Sequence, residues 1–148
     1  MATKKENYMI YKMYSKELND YVTEFFLPDL SFKEMTHRLL TLAEYKERGF
    51  QVAGILYVDK EAYLNARLTN TVEEYLYLNK AERETEQKFR RGHLNREVYI
   101  NTMKMIQDSE WTCLKKINMH IRRMVKENFT IENEIALELY VEYLKATL

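Results

Sequence analysis

The stretch from Asn95 to Glu127 constrains the fold most. Tyr99, Met103, Ile106, Cys113, Leu114, Ile117, Ile121, Met124 and Val125 recur at the three- and four-residue steps of one helix face. Lys104, Lys115, Lys116, His120, Arg122, Arg123 and Lys126 fall on the other side. A long helix with one apolar and one basic face packs inward and meets something acidic outward. Its pattern does not say what that something is.

Few turns interrupt the rest of the chain. Glycine (3) and proline (1) are scarce, so a turn-rich sandwich or barrel is disfavoured. With 148 residues, 46% of them hydrophobic, the chain can close one core of its own, and 1–148 reads as a single helical domain. Residues 1–7 are polar and expected to fray.

Several helix boundaries are written locally. Ser15 can cap a helix carrying Leu18, Tyr21, Val22, Phe25 and Phe26, which Pro28 stops. Ser31 and Glu34 form a capping box, with Leu30 and Met35 as its hydrophobic staple. The helix that follows is expected to bury Phe32, Met35, Leu39, Leu42 and Ala43 and to stop at Gly49. Residues 50–58 fit either a buried helix or a lone strand. With no evident pairing partner, helix is preferred. Tyr8 to Met13 fits a docked arm or a first helical turn.

Asp59 caps the next helix, whose inner face is Leu64, Leu68, Val72, Tyr75 and Leu76. Residues 79–95 form its polar end and a turn broken at Gly92. The long helix ends near Asn128, which tolerates the left-handed cap conformation. Thr130 is expected to cap a last, strongly apolar helix central to the core. The expected fold is therefore all-α, a helical bundle of about five or six helices ending in a long antiparallel helical hairpin.

The chemistry-bearing residues form no catalytic set. No nucleophile elbow, Walker loop or dinucleotide-binding glycine fingerprint occurs. Glu34 and His37 have the E-x-x-H spacing of a di-iron helix, but only once, and such a centre needs two copies plus two more glutamates. Cys113 lies on the apolar face and reads as a buried structural cysteine. No cofactor or metal is expected, and the chain is not expected to be an enzyme.

The expected function is a non-enzymatic binding or regulatory protein acting through protein–protein contacts. The candidate binding residues are Lys104, Lys115, Lys116, His120, Arg122, Arg123 and Lys126, with Arg90 and Arg91 from a second basic cluster at the Gly92 turn. The acidic row Glu134, Glu138 and Glu142 is the internal partner that could neutralise this face. Nucleic-acid binding through the Asn95–Glu127 helix is the alternative, against which stands a charge balance of 23 basic to 23 acidic residues. Tyr11, Tyr14, Tyr45, Tyr57, Tyr63, Tyr77 and Trp111 fall off the inner faces, which points to self-association as a homo-oligomer. A lone cysteine, and the lack of an apolar run of signal-peptide or membrane-spanning length, suit a cytoplasmic protein with no membrane partner.

Overall fold

The computed structural model describes residues 8–26 and 32–148. It is α+β, with four helices and a three-stranded antiparallel sheet among these residues. This overturns the all-α bundle of five or six helices. The chain divides into two compact units, Met1–Leu64 and Asn65–Leu148.

The first unit holds β1 (Tyr8–Ser15), β2 (Asp20–Phe26), α1 (Phe32–Glu47), β3 (Gln51–Val58) and the start of α2 (Lys60–Arg90). The strand order is β2-β1-β3. Ile10 on the central strand lies opposite Phe25 on one side and Leu56 on the other, and a bulge falls between Lys12 and Met13. The helix expected over Ser15–Phe26 is thus a hairpin. Ser15 does not cap a helix; its hydroxyl accepts the Leu18 N–H at 3.2 Å inside the turn. Asn19 completes that turn at a φ of 48°, and the Tyr14 hydroxyl donates to its side-chain oxygen at 2.8 Å. Asparagine tolerates this left-handed backbone better than most residues.

The preferred helix over 50–58 is β3, and its partner is the segment that reads as an arm. Tyr8–Ser15 hides its strand character because it is covered on both faces, so its apolar residues do not alternate cleanly. One face carries Phe25 and Tyr8 against Tyr63, at ring separations of 5.5 and 4.7 Å. On the other face lies α1, tied to β2 by an Arg38–Glu24 ion pair of 2.9 Å. Tyr63, expected on the surface, is fully buried. Met35 and Leu39, expected in the core, are exposed. The Pro28 stop, the Leu30 and Ser31 half of the capping box, the Phe32 side chain and residues 1–7 lie outside the described positions.

The second unit is helical. It contains the remainder of α2, then α3 (Arg96–Lys126) and α4 (Glu134–Thr147). Leu68 and Val72 from α2, Cys113, Ile117, Ile121 and Met124 from α3, and Ala136 and Leu139 from α4 are buried. The last two helices, α3 and α4, do pair as the expected antiparallel hairpin, and α2 and α3, each 31 residues, form a second and longer one. Phe89 stacks on Tyr99 beside its turn, with ring centroids 4.1 Å apart. The 14-residue α4 packs on α3, where Trp111 meets Tyr143 at 5.2 Å. It is not central to the core, since Ile135, Leu137, Val141 and Leu144 are all exposed.

Three helix ends share one device. At Gly49, Gly92 and Asn128 the backbone is left-handed, with φ of 88°, 74° and 59°. The next N–H in each case reaches back five residues: Phe50 to Tyr45, His93 to Lys88 and Phe129 to Met124. This is the Schellman arrangement, and it satisfies carbonyls that the helix end would otherwise orphan. Helix starts are capped by side chains: Asp59 accepts from Ala62 at 2.9 Å and Asn95 from Val98 at 2.8 Å. Asn133, not Thr130, caps α4, accepting the Ala136 N–H at 3.0 Å. Thr130 is held elsewhere, because its carbonyl accepts from Asn65 of α2.

Candidate functional site

Helical geometry divides the basic residues of α3 into two sets. Lys104, Lys115, Arg122 and Lys126 lie within about 40° of one another around the axis, on the side away from Ile117 and Met124. All four are exposed. They form a ridge roughly 33 Å long at the helical rise of about 1.5 Å per residue. Among the described residues none of the four has an ion-pair partner. The acidic row Glu134, Glu138 and Glu142 is also exposed, and no ion pair joins it to the ridge among those residues.

Lys116, His120 and Arg123 lie on a different line, turned toward α2. His120 is only part-exposed there. Burial, then the positive charges of Arg67, Arg123 and Lys116, lower its pKa to about 4. His120 is therefore a neutral imidazole at pH 7, not a cation of the basic face. Arg67 of α2 is the charged neighbour that spacing within α3 does not reveal. Pairing α2 with α3 in one hairpin is the signal that would have found it.

Arg90 and Arg91 belong to neither set. Both are exposed at the Gly92 turn, and Arg90 is held by Glu86 one helical turn earlier at 2.6 Å. From Arg91 to the Lys115–Lys126 end of the ridge the hairpin runs about 30 Å or more along its axis. The structure does not bring these two clusters together.

Apolar side chains interrupt the ridge. Trp111 falls on its line between Lys104 and Lys115, half-covered by Tyr143. Met119 is 69% exposed and Val125 60% exposed, one on each flank. Val125 was expected in the core, whereas Cys113 is buried as expected. Desolvation first, and then the charge of Glu74, push the Cys113 thiol up to about 11, which leaves it an unreactive thiol at neutral pH. Glu34 and His37 are exposed on α1, and among the described residues no group of three His, Cys, Asp or Glu could hold a metal ion.

One further constellation sits between α2 and α3. Burial, a hydrogen bond with Glu82 and the Glu82 charge, in that order, push the Glu110 carboxyl up to about 7. Tyr75 is beside the pair; burial and the Glu110 charge raise its pKa. A folded pKa above the ordinary 4.5 means that folding favours the protonated acid. The resulting stability is complete below pH 4.5 and is lost as pH rises through about 7. Since Glu110 is part-exposed, solvent screening reduces the effect to the order of 1 kcal/mol, or a few degrees in melting temperature. Thermal melts should therefore fall between about pH 4.5 and pH 7 and level off above it, and Glu110→Gln should flatten that slope. A slope unchanged in Glu110→Gln would mean that the two carboxyls share no proton.

No protein-family model, curated protein or solved structure matches the chain. No helix among the described residues is long and apolar enough to cross a membrane.

Proposed function

We propose that this is a non-enzymatic binding protein that takes an acidic, partly apolar segment of another protein along the exposed face of α3. One observation carries this reading: the ridge Lys104, Lys115, Arg122 and Lys126 is exposed, free of ion pairs among the described residues, and interleaved with Trp111 and Met119. Unneutralised charge steers an acidic partner, and exposed Trp and Met are the side chains that anchor protein interfaces.

Nucleic-acid binding draws on the same ridge but fits less well. Glu97 and Asp108 share the exposed side of α3, and phosphate contacts gain nothing from Met119 and Val125. The proposal includes a cytoplasmic location, which a lone thiol suits.

Charge reversal at Lys115, Arg122 and Lys126 together is the test. The expected outcome is loss of partner capture, unaffected by nuclease, with an unchanged helical spectrum and no more than about 0.5 kcal/mol of destabilisation per site. A triple variant that captures the same partner would remove the ridge from the function. Nuclease-sensitive capture with a steep salt dependence would transfer it to nucleic acid.

A further inference from the structure

The sheet of the first unit has two unlike edges. β2 carries Asp20 and Glu24, and its Glu24 is engaged by Arg38 of α1. β3 reads QVAGILYV, without a charge or a proline, in a chain that is 31% charged. Proteins ordinarily blunt a free strand edge with charge, proline or a covering element. β3 pairs with β1 on one side only, and its outer side has no partner among the described residues. Such an edge presents a row of backbone donors and acceptors that only another strand satisfies in full.

The exposed side chains of β3 identify that strand. Beyond the bulge, Gly54–Val58 is regular: Ile55 and Tyr57 oppose Tyr11 and Met9, and Leu56 opposes Ile10. Ile55 and Tyr57 therefore share the face that α1 covers, and Leu56 points to the other. They are 39%, 59% and 48% exposed.

We propose that β3 pairs antiparallel with β3 of a second copy of this chain, about a two-fold axis at Leu56. Directly opposed residues must share a face. A two-fold at Leu56 meets that rule, setting Leu56 against Leu56 and Ile55 against Tyr57, an aromatic–β-branched pair of the stabilising kind. With no charge in the strand, self-pairing meets no like-charge repulsion. Pairing β3 with the charged β2 edge would instead propagate an open fibre, whereas β3 with β3 closes as a dimer.

The same axis accounts for an exposed side of α1. Met35, Leu39, Leu42 and Lys46 recur along one side of that helix, and Leu42 and Lys46 line an open cleft of about 390 Å³ with Met13, Phe50 and Val52. Leu42 and Lys46 place the C-terminal part of that side beside Gln51 and Val52 at the start of β3. A two-fold perpendicular to the sheet puts both copies of α1 on the same face of a continuous six-stranded sheet, where Met35 and Leu39 gain an apolar neighbour. The surface is on the sheet unit and is independent of the ridge on α3.

Light scattering of the full chain at micromolar concentration should give twice the 18.0 kDa chain mass. Ile55→Lys should give the single mass with an unchanged circular dichroism spectrum. Leu56→Cys should cross-link to itself on mild oxidation. Self-opposed residues lie about 4.5–5.5 Å apart at Cα, inside the range a disulfide spans, and Cys113 is too buried to compete. Tyr21→Cys, on the exposed β2 edge, should not cross-link. A monomeric native chain overturns the proposal, as does a dimer that survives Ile55→Lys or cross-links through Tyr21→Cys instead of Leu56→Cys.

Discussion

Ile117→Ala and Ile121→Ala should each destabilise the helical unit by about 2–5 kcal/mol, among the largest losses a single truncation produces. Both side chains are fully buried on α3. Truncation removes their transfer free energy and leaves a cavity. Packed helices close such a cavity only in part, because interior packing is already as dense as an organic crystal. The charge reversal at Lys115, Arg122 and Lys126, on the opposite side of the same helix, should leave the urea midpoint nearly unchanged. Denaturation followed by circular dichroism reads both. A loss under about 1 kcal/mol at Ile117 would mean that the stripe is not packed as described.

This contrast between the two sides of α3 is legible in the sequence. A 31-residue helix repeats its signal through many turns, so spacing alone places Cys113, Ile117, Ile121 and Met124 together. The stops at Gly49, Gly92 and Asn128 are legible too, because left-handed backbone selects so few residues. Val125 sits at the edge of the stripe, where the spacing rule cannot distinguish core from rim. The apolar side chains of α4 mislead for a different reason. Apolar residues on a helix define a possible contact surface, but not whether something covers it.

Three separate effects hide the sheet. In β2, Leu18, Tyr21, Val22, Phe25 and Phe26 match the helical template by coincidence of spacing, although Leu18 belongs to the turn and Tyr21 is exposed. In β1, cover on both faces removes the alternation that marks a half-buried strand. β3 lacks an evident partner because that partner, Tyr8–Ser15, itself reads as an arm. Pairing is a long-range relation, and a short apolar run carries no trace of it. The usable signal is Asn19-Asp20 between two β-prone runs, a turn-forming pair where a helix interior is expected.

For the candidate site, charge is legible and environment is not. Spacing alone groups Lys104, Lys115, Arg122 and Lys126. That His120 is neutral follows only once α2 brings Arg67 beside it and removes its water. The separation of Arg90 and Arg91 from the ridge is likewise a property of the long hairpin, not of local sequence.

A second large effect is expected at Asn65, where one buried side chain holds the connection between α3 and α4. Its Nδ2 donates to the Thr130 carbonyl at 2.9 Å, and its Oδ1 accepts the Glu132 N–H at 3.1 Å. Asn133 reinforces the same junction by donating to Thr69 at 3.3 Å while its oxygen caps α4. Asn65 is 6% exposed, so water cannot readily replace the amide. Asn65→Ala removes a donor and an acceptor that match two backbone groups, and each buried group left unsatisfied costs about 1–3 kcal/mol. The expected loss is about 2–4 kcal/mol. Asn65→Asp should be worse than a simple amide loss suggests, since it turns a carboxylate oxygen toward the Thr130 carbonyl and buries a charge. Asn133→Ala, which removes the α4 cap, should cost about 1 kcal/mol by comparison. Hydrogen exchange separates a local clamp from general packing. If Asn65 clamps the junction, Asn65→Ala should accelerate exchange at Glu132 and in the first turn of α4 ahead of α3. Exchange that rises uniformly through the unit would instead assign Asn65 to general core packing.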